Sequence, residues 1–277
     1  MKSFKIVADS SADITSLPGI EFESVPLKII TAEREFCDDA SLDVSEMASF
    51  LYSYKGKSST SCPNSEDWIT AFGDAENVFC ITITSTLSGC HNAALIAKSI
   101  YEEKYPDRNV FVLDSLSTGP EMRLIVEKVV ELAEQGKSFK EVCDGALEYS
   151  KRTALFFLLK SMKNLANNGR IGKFSAMAAG ILGIRALGMA SEKGDLAPLD
   201  KCRGQNVIFK TIITRMKENG YCGGRVRIAN CLNEEEACIL RDAIIGEFPQ
   251  AEIEIYPARG LCSFYAENGG LLIGFEK

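Results

Sequence analysis

Hydrophobic positions in the first half of the chain follow two alternating patterns, one typical of strands and one typical of helices. Short β-branched runs end in acidic or hydroxyl residues, and the longer stretches between them space apolar side chains three or four positions apart. The predicted strands are Lys5–Ala8, Phe22–Ile30, Ile81–Thr84 and Val110–Leu113. The predicted helices begin near Val44, Pro63, Asn92 and Pro120. This alternation predicts a largely parallel sheet covered on both faces.

The second half of the chain is also predicted to be mixed α/β. It opens with a strong β run at Ala154–Leu159, followed by a short helix and a turn near Arg170. Later segments predict strands at Leu196–Leu199, Arg225–Cys231 and twice near the end, with helices at Asn206–Asn219 and Glu234–Phe248. We therefore predict an N-terminal α/β domain at 1–150 and a C-terminal mixed α/β domain at 151–277.

The stretch from Ile81 to Ile100 combines a predicted strand, a tight loop and the start of a helix. Its loop, Ser85–Gly89, is rich in hydroxyl groups and small residues, which let a ligand approach the backbone closely. Several backbone N–H groups and the positive end of a helix dipole meet at such a junction. The stretch therefore predicts a site for an anion, either a phosphate or a carboxylate.

Charge and hydropathy narrow the possible partners. The net charge is -7 and no basic run is present, so we expect no nucleic acid partner. The apolar stretch Phe174–Ala190 has 17 residues with Arg185 inside it, which is short of the roughly 20 that a membrane helix needs. We expect no membrane insertion and no signal peptide, and interpret this stretch as a buried segment or a wall of an apolar cavity.

The ten cysteines indicate neither a disulfide framework nor a metal site. No C-x-x-C spacing occurs and His91 is the single histidine, so no zinc pattern can be assembled and we expect no metal or other cofactor. The acidic residues near the predicted strand ends are interpreted as caps or solvated side chains. Cysteine used as a small apolar residue favours a reduced, cytoplasmic protein.

Ser88 is the strongest candidate nucleophile, but its surroundings do not match a known catalytic motif. The order T-L-S-G-C lacks the first glycine of a G-x-S-x-G elbow, and neither a Walker loop nor a G-x-G-x-x-G motif occurs. A lipid carboxylate is another possible ligand, because the hydroxyls of Thr60 and Ser88 and the Gly89 amide can donate to it. Its tail would need a dry cavity, with burial contributing roughly 0.8 kcal/mol per methylene.

Five segments resemble the DegV family and follow the family's order through about the first two-thirds of the chain. They are KIVADSSADIT, STSCPN, ITSTLSGCHNAA, VFVLDSLSTGP and NNGRIGKFSAMAAGILGI. The resemblance implies two α/β domains that enclose a long-chain fatty acid and offer its carboxylate to a fatty acid kinase, which makes the acyl phosphate. Such a protein carries the acyl chain and is not itself the catalyst.

The resemblance also implies roles for individual residues. Thr60 and Ser88 would hold the carboxylate, with Ser61 and Gly89 beside them, and we count Asn92 among the ligand-binding residues as well. Arg170 matches the arginine of the family's G-R-I turn, on the side associated with the kinase.

Three positions depart from the family pattern. Asn64 replaces the second serine of T-S-x-P-S, Cys90 and His91 replace threonine and an aromatic residue, and Tyr265–Gly269 replaces the late H-x-G-P-G motif. The family histidine helps to order the site for the carboxylate, and Tyr265 offers a hydroxyl in its place.

A cytoplasmic fatty acid-binding carrier is therefore the leading hypothesis. The first alternative is a small α/β acyl hydrolase or transferase that uses Ser88. The second alternative is an adaptor with a vestigial cleft, which the altered C-terminal motif would permit.

Overall fold

A computed structural model of the chain describes residues 4–173 and 185–277. Within these ranges the strands are β1 (Phe4–Asp9), β2 (Phe22–Val25), β3 (Lys28–Ile30), β4 (Glu35–Cys37), β5 (Ser59–Ser61), β6 (Asn77–Thr82), β7 (Asn109–Asp114), β8 (Thr153–Leu159), β9 (Arg185–Ala190), β10 (Leu196–Cys202), β11 (Arg225–Asn230), β12 (Glu252–Pro257) and β13 (Leu271–Glu276). The α-helices are α1 (Val44–Ser53), α2 (Ser65–Phe72), α3 (Cys90–Lys104), α4 (Gly119–Glu134), α5 (Phe139–Ser150), α6 (Lys163–Asn167), α7 (Gln205–Glu218), α8 (Glu234–Glu247) and α9 (Gly260–Ala266).

The first sheet is parallel throughout and has the strand order β2-β1-β6-β7. One face packs on α4 and α5, through a core that includes Ile6, Ile81 and Val129. The other face packs on α2 and α3, around Trp68 and Tyr101. Burial on both faces explains why the middle of β6, Val78–Ile81, is apolar at every position and follows no alternating pattern. The predicted parallel sheet, covered on both sides, is confirmed.

The single strand predicted over Phe22–Ile30 is wrong, because the structure has two strands there in different sheets. β2 joins the parallel sheet, whereas β3 lies at the centre of a small antiparallel sheet with the order β4-β3-β5. The break falls at Pro26, which has no N–H to donate to a neighbouring strand. The next N–H, from Leu27, bonds to the Ser10 hydroxyl at 3.0 Å.

The second sheet has the order β10-β9-β8-β13-β11-β12, in which only β11 and β12 pair in parallel. The strand β9 was not predicted, because its residues end the apolar stretch Phe174–Ala190. Residues 174–184 of that stretch, and the cavity wall predicted there, lie outside the described residues. The mixed second sheet agrees with the predicted fold class, and the division of the chain at residue 150 stays a prediction.

Two helices were missed in the sequence. α5 begins with a capping box in which Ser138 accepts from the Glu141 N–H and Glu141 accepts from the Ser138 N–H, a signal that the sequence S-F-K-E carries. α9 is short and begins after Arg259 with no side-chain cap from its own segment. Its first N–H groups, from Gly260 and Leu261, both bond to the carboxylate of Asp38 at 2.8 Å.

The helix α4 lies between the two larger sheets. A side chain at Gly274 in β13 would place its Cβ 2.5 Å from the backbone nitrogen of Glu121 in α4, so the close approach requires glycine. The Glu121 carboxyl is buried and accepts a 2.8 Å hydrogen bond from the Thr153 hydroxyl at the start of β8. Burial raises the pKa of Glu121 to about 7.

Candidate ligand-binding site

The loop after β6 is held by the ends of its two neighbouring strands. The Ile83 N–H donates to a carboxylate oxygen of Asp9, at the end of β1, at 2.7 Å. On the other side the Ser85 N–H donates to Asp114, at the end of β7, at 3.2 Å. Asp9 is fully buried, which raises its pKa to about 6. The carboxyl ends of three parallel strands thus position the loop, as is typical of ligand sites in open α/β sheets.

Ser88 and Gly89 stand at the N-terminus of α3. Gly89 is the capping residue and supplies no side chain to the free N–H groups of the first turn. The Ser88 hydroxyl accepts from the Cys90 N–H at 3.3 Å and lies 3.2 Å from the Cys90 sulfur. The helix start therefore combines one hydroxyl, an open backbone and the positive end of the helix dipole.

Thr60 and Tyr265 meet although 205 positions separate them in the chain, and their hydroxyl oxygens are 2.7 Å apart. Thr60 lies in β5, where it pairs with Ile29 of β3. Tyr265 lies in α9, which Asp38 fixes at its N-terminus. Burial raises the pKa of Tyr265, so its hydroxyl keeps its proton at neutral pH.

These residues border a cavity of about 290 Å³. Its polar side chains come from the loops of the first half, from Arg170 and from Tyr265, and most of the remaining wall is apolar. The lining consists of Leu27, Thr60, Ser61, Cys62, Ile83, Leu87, Ser88, Gly89, Thr118, Leu155, Phe157, Leu159, Leu165, Arg170, Leu196, Leu261, Cys262, Tyr265, Ala266 and Leu272. An apolar wall with a few convergent polar groups is typical of a site for a small, largely hydrophobic ligand.

The strand β8 supplies one apolar wall. Its residues Leu155, Phe157 and Leu159 line the cavity. Alternate residues such as Phe156 and Leu158 point to the opposite face, into the core formed with α7 and α8. The strand is buried along its whole length, so its sequence does not reveal which face meets the cavity.

Arg170 lies at the edge of the cavity, next to a second, more polar groove. Its guanidinium donates to the carbonyl oxygens of Leu87 at 3.4 Å and of Asn168 at 2.7 Å. Its positive charge contributes to lowering the pKa of the Cys62 thiol. The outer groove includes Thr86 and Asn168 together with Arg170, so this side chain faces both the cavity and the protein surface.

The structure brings six of the seven predicted residues to one cavity. Thr60, Ser61, Ser88, Gly89, Tyr265 and Arg170 all line it, and their functional roles stay predictions. Asn92 does not line the cavity, and its side chain is exposed.

The position of Asn92 follows from the geometry of α3. Cys90, Ala94 and Ala97 form the buried side of the helix, and residue 92 falls on the opposite side at 3.6 residues per turn. This position gives no support to a ligand-binding role for Asn92, which stays a prediction.

His91 contacts a hydroxyl other than that of Ser88. Its Nδ1 atom lies 3.2 Å from the Thr82 hydroxyl, at the end of β6. Ser88 instead contacts Cys90.

Sequence reasoning missed Cys62 and the β8 wall. The signal in the sequence is that Cys62 follows Thr60 and Ser61 directly.

Within the described ranges, no group of three or more histidine, cysteine or acidic residues is arranged to hold a metal ion. Over the same part of the chain, no helix is both long enough and apolar enough to cross a membrane.

Comparisons with known proteins give consistent matches. A family model described as "Uncharacterised protein, DegV family" matches residues 3–277. A DegV domain-containing protein of Streptococcus pneumoniae strain R6 is 45% identical over 99% of both chains.

Two crystal structures are also similar to this chain. The Streptococcus pneumoniae Fatty Acid Kinase (Fak) B3 protein loaded with linoleic acid has 45% identity and a TM-score of 0.96, with 99% of each chain covered. A DegV family protein from Eubacterium eligens loaded with heptadecanoic acid has 42% identity and a TM-score of 0.96, covering 99% of this chain and 100% of that one. The family match and these similarities establish that this protein belongs to the DegV family.

Proposed function

We propose that this protein binds a long-chain fatty acid and presents its carboxylate to a fatty acid kinase. The proposal rests on one cavity that has both apolar and polar walls. Leucine and phenylalanine side chains line most of it, and the hydroxyls of Thr60, Ser88 and Tyr265 lie at its polar end. The apolar side chains suit a hydrocarbon chain, whose burial contributes roughly 0.8 kcal/mol of binding free energy per methylene. The hydroxyl end suits one small polar head.

The polar end suits a carboxylate in particular. Thr60 and Ser88 can donate hydroxyl protons without adding charge, and the start of α3 adds backbone N–H groups and a favourable dipole. The guanidinium of Arg170 stands at the same edge of the cavity. Hydrogen bonds to a charged group contribute about 1.5–3 kcal/mol each, so two or three donors give the head a defined position.

The relatives support this assignment. Proteins of 42% and 45% identity that cover nearly the whole chain were crystallised with heptadecanoic acid and linoleic acid. The second of these carries fatty acid kinase in its name, which supports a kinase as the partner of this chain. Arg170 is the residue we assign to that partner, because it also borders the outer groove.

A carrier agrees better with the site than a hydrolase does. A hydrolytic Ser88 would need a base beside its hydroxyl, whereas the single histidine contacts Thr82. All ten cysteines are free thiols, which supports a reducing compartment such as the cytoplasm. We further propose that residues 1–150 carry the carboxylate-binding loops and that residues 151–277 close the cavity over the acyl chain.

Lipid extraction from the purified protein tests the binding function directly. We expect mass spectrometry of the extract to show a fatty acid of about 14 to 18 carbons, at most one per chain. After removal of lipid, the protein should take up added acid, and Thr60→Ala with Ser88→Ala should weaken that uptake about 10-fold or more, because each loses a donor to a charged group.

Thr214→Ala serves as a matched control. Thr214 is exposed on α7 and its hydroxyl bonds only to the Lys210 carbonyl within that helix among the contacts that the structure shows. Uptake by this variant should equal that of the unchanged protein. A protein that carries no lipid and takes up none would contradict the proposal.

The kinase step is tested separately with acid-loaded protein, ATP and a fatty acid kinase. We expect acyl phosphate to form, and Arg170→Ala to reduce its rate more than it reduces retention of the acid. Arg203→Ala is the control, since Arg203 is an exposed arginine outside the cavity lining. Equal losses of rate and retention would assign Arg170 to the ligand alone.

A further inference from the structure

Two cysteines meet at the polar end of the cavity. Cys62 follows the Thr60–Ser61 pair, and Cys90 is the first residue of α3. A Cβ built on Gly89 would lie 3.0 Å from the Cys62 sulfur, so this sulfur rests directly against the residue before Cys90. Cys62 thus lies next to Cys90, each thiol shifts the pKa of the other, and both thiols are free.

The two thiols have different environments. Cys90 is fully buried, and its thiol is in contact with the Ser88 hydroxyl at 3.2 Å. Cys62 is exposed and lines both the cavity and a polar surface groove with Pro63, Asn64 and Asp67. A small oxidant can therefore reach Cys62 from the surface, with Cys90 placed behind it.

The surroundings also favour the reactive form of Cys62. The hydrogen bond from Cys90, the Gly89 N–H and the charge of Arg170 lower the pKa of the Cys62 thiol to about 6, against the opposing effect of burial. A lower pKa increases the share of the thiolate, which is the nucleophilic form, at neutral pH. The pKa of Cys90 is raised, first by its hydrogen bond to Cys62 and then by burial.

We propose that Cys62 and Cys90 form a reversible disulfide in the empty protein, and that this disulfide and a bound fatty acid carboxylate exclude one another. The proposal rests on the fatty acid-binding function. It assigns a second property to the same site, a redox-active dithiol.

The chemistry balances with hydrogen peroxide as the oxidant. The Cys62 thiolate attacks one peroxide oxygen, an S–O bond forms, the O–O bond breaks, and the leaving hydroxide takes a proton to become water. Cys90 then loses its proton, its sulfur attacks the Cys62 sulfur, and the sulfenic oxygen leaves as a second water. Two electrons pass from the two sulfurs to the peroxide. A dithiol reductant returns both thiols by exchange.

Mutual exclusion follows from shared binding groups. The Gly89 N–H and the charge of Arg170 favour the Cys62 thiolate, and both lie at the end of the cavity proposed for the carboxylate. A carboxylate at this place puts a like charge beside the sulfur, which raises the thiol pKa and leaves less thiolate to react. A disulfide shortens the sulfur–sulfur distance to about 2.05 Å and fixes Cys62 against the start of α3, where the carboxylate would sit.

Peroxide treatment of delipidated protein tests the disulfide. We expect intact mass spectrometry to show the loss of two hydrogens, and peptide mapping to locate the crosslink between Cys62 and Cys90. Cys222→Ser is the matched control, since Cys222 is also exposed and does not line the cavity. The crosslink should persist in Cys222→Ser and disappear in Cys62→Ser. Its absence from the unchanged protein would overturn the inference.

Loading with oleic acid tests the exclusion. The like charge of the carboxylate raises the Cys62 pKa and lowers the thiolate fraction at pH 7, so crosslinking should slow several-fold. Because coupling between two sites is reciprocal, the crosslinked protein should bind oleic acid more weakly and recover its affinity with dithiothreitol.

The possible outcomes separate this inference from the proposed function. If reduced protein takes up oleic acid and the crosslinked form takes it up equally well, the exclusion is refuted and the binding function stands. If reduced protein takes up none, the binding function is refuted, and the exclusion with it.

Discussion

Replacement of Tyr265 by phenylalanine tests the polar end of the cavity most directly. The change removes one hydroxyl, which lies 2.7 Å from the Thr60 hydroxyl, and keeps the ring that packs on Phe264 with centroids 4.8 Å apart. The fold should therefore remain. The expected loss of fatty acid affinity depends on which of two roles the Tyr265 hydroxyl has.

If Tyr265 only orients Thr60, the loss of one neutral hydrogen bond costs about 0.5–1.5 kcal/mol, which weakens fatty acid binding about 2- to 12-fold. If Tyr265 donates directly to the carboxylate, the loss is about 1.5–3 kcal/mol, or about 12- to 150-fold.

A double-mutant cycle with Thr60→Val separates these roles. Dissociation constants for one fatty acid are measured by calorimetry for the parent, both single variants and the double variant. We expect a coupling energy of about 0.5 kcal/mol or more, because residues in one hydrogen-bond network are not additive. Urea unfolding of the ligand-free variants serves as the control for folding. Single variants that bind the acid as well as the parent would refute a role for this pair in holding the head, and additive losses would refute the coupling between the two hydroxyls.

Two further predictions concern the wall and the boundary between the sheets. Leu158→Ala, in the core behind β8, should lower the unfolding free energy by about 2–5 kcal/mol with little change in affinity per folded molecule. Leu155→Ala, on the cavity face of β8, should instead weaken acid binding by about 1–2 kcal/mol, measured by calorimetry. Equal effects of the two variants on affinity would contradict the assignment of Leu155 to the cavity wall. Glu121 has a pKa of about 7 in the folded protein against an ordinary value of 4.5, so the folded state binds more protons between these values and stability falls as the pH rises through them. Glu121→Gln removes this loss, so between pH 5 and pH 8.5 its urea-derived stability should fall by about 2–3 kcal/mol less than that of the parent. Parallel pH profiles would disprove the role given to the Glu121 carboxyl.

Local sequence signals were sufficient to predict a helix where its formation depends mainly on its own residues. α4 follows a strand with Pro120 in its first turn, and its end at Glu134 is followed by Gly136 with a φ of 73°. α8 begins with three acidic residues that complement the helix dipole, and its predicted bounds differ from the structure by one residue. These elements were predicted well because caps and periodicity act within a few positions.

Local sequence signals failed where pairing with a neighbouring strand decides whether a segment forms a strand and which sheet it joins. Phe22–Ile30 has a continuous β pattern, yet its two parts pair with different strands, β1 and β5, on either side of Pro26. β9 is a strand because β8 and β10 both pair with it, whereas its own sequence is only apolar and glycine-containing. Such choices depend on what lies beside the strand, which local periodicity does not encode.

The sequence by itself determined the alternating α/β character, the hydroxyl-rich turn before α3, and the residue types that suit a carboxylate. Only the tertiary structure decided which of them share a site. It brought Thr60 to Tyr265, set Cys62 beside Cys90, turned one face of β8 toward the cavity, and left Asn92 outside. The physical reason is distance along the chain. A cap or a turn is stabilised by neighbours a few residues away, whereas a cavity forms from surfaces that meet only after both sheets have packed.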